Sequence, residues 1–359
     1  MLDFLNTWLS TGGFWIAIPL IIVGCAALIK GADFLVDGAS ALAKKYGVSD
    51  IVIGLTVVAF GTSMPEFVVN MVAVGQGSTE IAITNVLGSN IINIFVILGF
   101  TALIFPISSQ KSTRRFDIPF SLLAALLVLL FAVYNSPSWL EIKHPFSMSI
   151  ADPTLSDLGS IQMGQGNGGF ISGVGGSILL IFFLLFLWHN FKGIGSVPQT
   201  ESNEEYKPMS ARRALALIIG GLIGLVVGGE VIVKSATSIA QSLGVSDAII
   251  GLTVVALGTS LPELATSCMA AFKKNCDIAL GNVIGSNLFN IFFILGTSAC
   301  VKALPGYHGL EIDALMAALG SVLVMLFVYL TKKYEIKRWH GAILLLTYAA
   351  YLAYRIITL

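Results

Sequence analysis

The sequence predicts an all-α integral membrane protein: ten transmembrane helices arranged as two inverted five-helix repeats. Three observations lead there: an apolar composition, a lopsided distribution of cations, and an internal repeat. Of 359 residues, 56% are hydrophobic and only 11% charged, and the mean hydropathy is +0.88. A water-soluble domain cannot bury that much apolar surface, whereas membrane helices expose it to lipid. A net charge of zero offers no footing for nucleic acid as a partner. The cysteines Cys25, Cys268, Cys276 and Cys300 form no CxxC pair, so neither a disulfide framework nor a zinc site is expected.

Apolar segments of bilayer length fall at 14–35, 50–74, 79–104, 118–134, 172–191, 213–235, 247–272, 277–303, 311–331 and 339–357. The first has no basic stretch before it and no small-residue cleavage site, and is read as a retained span rather than a signal peptide. If the chain threads back and forth, one side collects sixteen Lys and Arg residues, among them Lys44, Lys45, Lys111, Arg114, Arg115, Lys273, Lys274, Lys332 and Lys333. The other side holds Lys143, Lys234, Lys302 and Arg355. Cytoplasmic connections carry the excess of cations, so both termini are expected outside a prokaryotic cytoplasmic (inner) membrane. Residues 135–171, rich in Gly, Ser, Pro and Asp, form an outer irregular loop. Residues 192–212 read as a cytoplasmic linker between a first repeat, 1–191, and a second, 213–359.

A shift of 197 residues (47 to 244) brings the halves into register without a gap. "GVSDIVIGLTVVAFGTSMPE" (47–66) lies over "GVSDAIIGLTVVALGTSLPE" (244–263), and "NVLGSNIINIFVILG" (85–99) over "NVIGSNLFNIFFILG" (282–296). More than half of the 53 positions from 47 to 99 match, beyond what two unrelated apolar helices would share. Five spans per half is an odd number, so the second copy sits upside down. Inverted repeats with interrupted helices at matching positions point to a secondary transporter with its site near the midplane.

The interruption lies in GTSMPE (61–66) and GTSLPE (258–263). Helical spacing places Glu66 one turn from Thr62 and Ser63, with Ala59 one turn before Ser63, and likewise Ala256, Thr259, Ser260 and Glu263. Pro65 has no amide hydrogen and crowds the carbonyl of Gly61, so carbonyls of Gly61 and Thr62 should turn out of the helical ladder. Unpaired carbonyls in hydrocarbon are costly unless something binds them. A cation suits them, and the glutamate supplies the charge that holds it. On the next span Asn85, Ser89 and Asn93 recur every four residues, repeated by Asn282, Ser286 and Asn290. Together the four segments would enclose two carboxylates, hydroxyls, amides and carbonyls. Such hard oxygen ligands suit Ca²⁺ and Na⁺ rather than zinc or copper. Two carboxylates neutralise one Ca²⁺. Without it they require sodium ions or protons, because two bare like charges repel.

The paired GTSxPE and GSNxxN motifs resemble those of the cation/calcium exchanger superfamily, the sodium/calcium exchangers, over essentially the whole chain. The short linker is similar to that of compact prokaryotic members, which implies no regulatory calcium-sensor domain. The resemblance implies that Glu66, Glu263 and the carbonyls of Thr62 and Thr259 ligate calcium. It implies sodium ligands at Ser63, Ser89, Ser260, Ser286 and the carbonyls of Ala59 and Ala256, with Asn93 and Asn290 at the centre. Potassium-dependent relatives carry Asp at the position of Asn290, so potassium independence is expected here.

Simpler roles stand beside these. Small hydroxylated residues often only pack membrane helices together, and Asn85 and Asn282 could merely tie helices. Asp33 and Glu230, equivalent on the first span of each half, read as interfacial charges. Asp50 and Asp247 follow Ser49 and Ser246 at helix starts, where capping accounts for them. The histidines form no cluster. The expected function is Na⁺/Ca²⁺ antiport, with exchange of Ca²⁺ or another divalent cation for H⁺ through the same glutamates as the alternative. A channel fits a closed site with two carboxylates poorly, and no HExxH, Ser/Lys or paired catalytic Asp signature suggests an enzyme. No cofactor and no obligatory protein partner are expected; Na⁺ and Ca²⁺ are cargo and the bilayer is the setting.

The topology is testable in intact cells. In a background lacking native cysteines, Gly166→Cys should react with an impermeant thiol reagent and Ser202→Cys should not. The reverse labelling would overturn the orientation.

Overall fold

The computed structural model describes residues 3–134, 170–192, 209–244, 256–307 and 309–358. These are helical almost throughout. Helix α1 is Asp3–Tyr46, followed by a bent pair, α2 (Asp50–Thr62) and α3 (Met64–Gly75), then α4 (Thr79–Ile104). Helices α5 (Asp117–Tyr134) and α6 (Gly173–Lys192) follow. Next come α7 (Ala211–Ser242), a single turn at Ala256–Thr259, and α8 (Leu261–Phe272). Helices α9 (Cys276–Val301), α10 (Leu310–Leu330) and α11 (Arg338–Thr358) complete the chain.

Among the described residues, eight helices are long and apolar enough to cross a membrane, and nine if α2 and α3 count as one span. The expected span at 247–272 lies partly outside the described residues, as do most of the 135–171 loop, most of the 192–212 linker, Ser246 and Asp247. Helices α4 and α9 are the centre of the bundle: 78% and 94% of their apolar windows are buried, against 28% for α1 and 17% for α11. The polar stripes sit on these two central helices, so their Asn and Ser residues face protein rather than lipid.

Helices α1 and α7 run past the apolar windows at 14–35 and 213–235, reaching 44 and 32 residues. Hydropathy marks only the part lipid must cover, and the charged stretch from Asp37 to Lys45 stays helical beyond it. The two helices pack antiparallel through glycines. A Cβ added to Gly31 would lie 2.8 Å from the Gly221 carbonyl oxygen, and one on Gly221 would lie 2.7 Å from that of Gly31. Gly24 and Gly228 meet in the same way, at 3.0 and 2.8 Å. Small residues let membrane helices approach backbone to backbone, where packing replaces the hydrophobic effect.

Two short antiparallel pairings accompany the helices of this all-α fold. Ile107 and Ser108 pair with Ile336 and Glu335, while Phe170 and Ile171 pair with Pro305 and Leu304. They lie in connections between spans, where main-chain groups freed from helices need partners. Ser49 also differs from expectation: it begins α2 but its side chain makes no capping bond. Asp50 instead accepts a bond from Asn275 Nδ2 at 2.7 Å, tying the start of α2 to the start of α9.

Gly31→Val should lower the apparent melting temperature in detergent, at a cost of about 2 kcal/mol or more, because the atoms it meets are backbone and cannot yield. Gly220→Ala is the control, since its Cβ meets nothing within 4 Å. Equal melting of the two variants would refute the close crossing.

Candidate ion-binding site

The break between α2 and α3 turns the chain by 45°. It centres on Ser63, whose φ is −86° and ψ 7°; Ser260 repeats this at −91° and 7°. Helical bonding before the break ends with the Ser63 amide on the Ala59 carbonyl, and resumes with the Phe67 amide on the Ser63 carbonyl. The carbonyls of Phe60, Gly61 and Thr62 in between carry no i to i+4 bond. Pro65 falls in the first turn of α3, where a missing amide hydrogen costs nothing. The proline therefore starts the second segment rather than kinking a continuous one. The Ala59 carbonyl accepts from the Ser63 amide at 3.0 Å and from the Thr62 hydroxyl at 3.3 Å.

The break also changes which groups meet. Helical spacing placed Thr62 and Ser63 beside Glu66, but the hydroxyls cross to the other half. Ser63 Oγ donates to Glu263 Oε1 at 2.8 Å, and Thr62 Oγ1 to Asn282 Oδ1 at 3.1 Å. Ser286, from α9, adds a long 3.5 Å bond to the same Glu263 oxygen. Glu66 is flanked in turn by Ser260 and Thr259 of the second half, and is close enough to Glu263 for their charges to interact.

Glu66, Thr62, Ser63, Ser286 and Asn290 are fully closed off, and Ser89, Asn93, Ser260 and Glu263 nearly so. Ala59 is buried too, and Thr259 is half-buried. The Ala256 carbonyl sits on the turn before Ser260. Within this group both Glu66 oxygens, Glu263 Oε2, Asn93 Oδ1, Asn290 Oδ1 and Ser260 Oγ have no hydrogen-bond partner. Five of the six are pure acceptors. Buried acceptors without donors are costly, and a cation is a partner of the right charge for such oxygens.

Six residues outside the predicted ligand set organise the site. Asn85 Nδ2 donates to Asn70 Oδ1 at 2.6 Å and to the Glu66 carbonyl at 3.3 Å. Asn282 Nδ2 donates to Ser267 Oγ at 2.9 Å and to the Glu263 carbonyl at 3.2 Å. Asn85 and Asn282 thus tie each glutamate helix to its neighbour. Asn70 and Ser267 were legible as equivalent positions four residues beyond the glutamates. Asn90 and Asn287, inside the GSN motifs, join the halves: Asn90 Nδ2 reaches the Asn287 carbonyl at 3.2 Å and Asn287 Nδ2 the Asn90 carbonyl at 3.4 Å. Asn93 opens one wide π-helical turn, Asn93–Leu98, and Asn290 is the second residue of the other, Phe289–Leu295, a distortion frequent at functional sites. Asp33 and Glu230 stay apart from this group, Asp33 pairing with Lys273 at 2.7 Å and Glu230 with Lys234 at 3.2 Å.

Comparison with known proteins agrees with this chemistry. The profile of the family described as sodium/calcium exchanger protein matches residues 16–192 and 213–357. This chain belongs to the sodium/calcium exchanger family. A relative from Methanosarcina acetivorans, the sodium/calcium exchanger MaX1, is 33% identical across 93% of this chain and 96% of its own length. The putative antiporter CaxA of Alkalimonas amylolytica is 35% identical across 94% and 97%. The solved sodium-calcium exchanger NCX_Mj, soaked with Na⁺ and Sr²⁺, superposes with a TM-score of 0.74 at 32% identity, covering 94% of this chain and 98% of that one. As a sodium/calcium exchanger family member the chain is a multi-pass membrane antiporter, within a family of transporters rather than enzymes.

Asn282 makes three bonds from a fully buried position, whereas Asn85 makes two from a half-buried one. Asn282→Leu should therefore lower thermal stability more than Asn85→Leu, by about 1–3 kcal/mol for the stranded partners. Equal losses in detergent melting would show that the third bond, to Thr62, adds nothing.

Proposed function

We propose that this chain exchanges Na⁺ for Ca²⁺ across a prokaryotic inner membrane by alternating access to one site. The site lies between two inverted five-helix repeats, 1–191 and 213–359, joined by a cytoplasmic linker at 192–212, with both termini outside. In this reading Glu66, Glu263 and the carbonyls of Thr62 and Thr259 hold calcium. Ser63, Ser89, Ser260, Ser286 and the carbonyls of Ala59 and Ala256 complete sodium sites, and Asn93 and Asn290 line the centre. A sodium ion at Ala59 would take the place of the Thr62 hydroxyl on that carbonyl.

The observation that carries the reading is the cluster of buried oxygens around Glu66 and Glu263 without donors. The inverted arrangement has its own support. Under the 197-residue shift Gly24 corresponds to Gly221 and Gly31 to Gly228, so the two glycine contacts are one contact seen from either half. The Asn90 and Asn287 bonds are reciprocal in the same sense. Equivalent helices that pack antiparallel around such an axis are related by a two-fold perpendicular to them, which inverts one half. The two stretches matched by the family profile fall on either side of the proposed linker.

Reconstituted into vesicles, the protein should take up ⁴⁵Ca²⁺ against an outward Na⁺ gradient but not against K⁺ or H⁺ gradients alone. Uptake driven by H⁺ alone would replace sodium with protons in this scheme. Glu66→Gln and Glu263→Gln keep the side-chain shape but remove one charge of the pair that neutralises Ca²⁺. Each should reduce calcium flux at least about a hundredfold, as expected for loss of a charged buried contact, while folded protein is still recovered. Near-normal flux in either variant would remove that glutamate from the site.

A further inference from the structure

We propose that Asn90 and Asn287 are positioning residues that lock the amides of Asn290 and Asn93, so that each presents its oxygen to the ions. This rests on the reading above that the amides of Asn93 and Asn290 belong to the ion site.

A backbone carbonyl accepts hydrogen bonds and never donates. The Asn90 side chain meets the Asn287 carbonyl at 3.2 Å, so the Asn90 atom in that contact is its NH₂ nitrogen. Asn90 Oδ1 therefore takes the other branch, where it can only accept. The Asn290 atom that meets it at 3.1 Å must be Nδ2. Because an amide has one oxygen and one nitrogen, Asn290 Oδ1 is left for the remaining direction, where it is buried without a donor. The mirror chain is the same. Asn287 Nδ2 is fixed on the Asn90 carbonyl at 3.4 Å, Asn287 Oδ1 accepts from Asn93 Nδ2 at 2.9 Å, and Asn93 Oδ1 is buried without a donor.

Two main-chain carbonyls, which cannot change their chemistry, thus set the direction of four side-chain amides. Flipping Asn93 or Asn290 would break its bond and set two like atoms against each other. It would also turn an NH₂ group, the positive end of the amide, toward a cation. A partner behind a ligand that fixes its orientation is a recurrent requirement of ion sites. Here the partner of each half's ligand comes from the opposite half. Neither half can orient its central amide alone, so the site is assembled only where α4 and α9 meet.

The test is a double-mutant cycle read by Ca²⁺ binding to purified protein in detergent, by calorimetry and by the Ca²⁺-induced rise in melting temperature. Asn290→Ala and Asn90→Leu are made singly and together, with Asn93→Ala and Asn287→Leu as the mirror set. Each single variant should weaken Ca²⁺ binding about tenfold or more, the size of one lost contact to a charge. The double variant should be no weaker than Asn290→Ala alone, because Asn90 acts only through Asn290. A purely structural role would instead give losses that add. If Asn90→Leu does not fold, the mirror set decides, and failure of both leucine variants to fold would overturn the proposal by making the pair a requirement of the fold. Unchanged binding in Asn290→Ala and Asn93→Ala would remove the amides from the ion site, a failure of the parent reading. Weakened binding there, with normal binding in Asn90→Leu and Asn287→Leu, would overturn the positioning role alone.

Discussion

Two carboxylates closed away from water depend on positive charge, and the rest of the structure follows from that need. Glu66 and Glu263 are 0% and 1% exposed, with no Lys or Arg paired to either among the described residues. A bare charge at such depth is expensive, and two near each other are worse. Donors on Ser63 and Ser286 offset part of this at Glu263. The Glu66 carboxylate accepts no hydrogen bond. A chain that kept both glutamates permanently satisfied could not release an ion. One that left them wholly unsatisfied would not fold without one.

The surrounding elements keep the glutamates in place while leaving their oxygens free. Asn85 and Asn282 grip the main chain of Glu66 and Glu263 rather than their carboxylates. The break at Ser63 frees neutral carbonyls where Gly61, Thr62 and Ser63 are buried and α9 packs against the turn. Glycines bring α1 and α7 together at backbone distance, outside the site but in contact with both halves. Rigidity of the scaffold and openness of the ligands are supplied by different residues, so neither compromises the other.

Much of this was legible in the sequence because it is periodic. A residue every fourth position must share a helix face, so the stripe from Asn85 to Asn93 and its copy predicted one polar surface on each central helix. The glutamates were legible because a charge inside an apolar run is too costly to keep unless something of opposite charge meets it. What was not legible depends on contact between distant segments. Helical spacing assigned Ser63 to Glu66, yet the break redirects it to Glu263, 200 positions away in the chain. Asn90 looked no different from its neighbours in GSN, since its importance lies in the Asn287 carbonyl opposite. Ser49 had the right residue type and position for a cap, but Asp50 found a stronger partner in Asn275. The wide turns beginning near Asn93 and Asn290 carry no proline or glycine to announce them.

The bonds to the glutamates do not obey the symmetry of the sequence, and that is informative. GTSMPE and GTSLPE are near-identical, so their intrinsic preferences are near-identical too. Nevertheless Ser63 donates to Glu263 at 2.8 Å, while Ser260, the corresponding residue, lies against Glu66 without the geometry of a hydrogen bond. The difference therefore comes from how the halves are packed and not from what they are. The alternating access proposed above would exchange the packing of the halves, bringing Ser260 onto Glu66 and releasing Ser63 through contacts of the same kind. The proposal requires that two such packings lie close in energy, so that a small differential affinity is enough to shift between them. If the halves are inverted, as proposed, that exchange also reverses the side from which the site is reached. In that proposed cycle an ion that satisfies the glutamates in both packings would let the chain pass between them, whereas empty carboxylates would leave repulsion uncompensated during the passage. Coupling of one ion's exit to another's entry then follows from the cost of two buried charges, without a separate gating element.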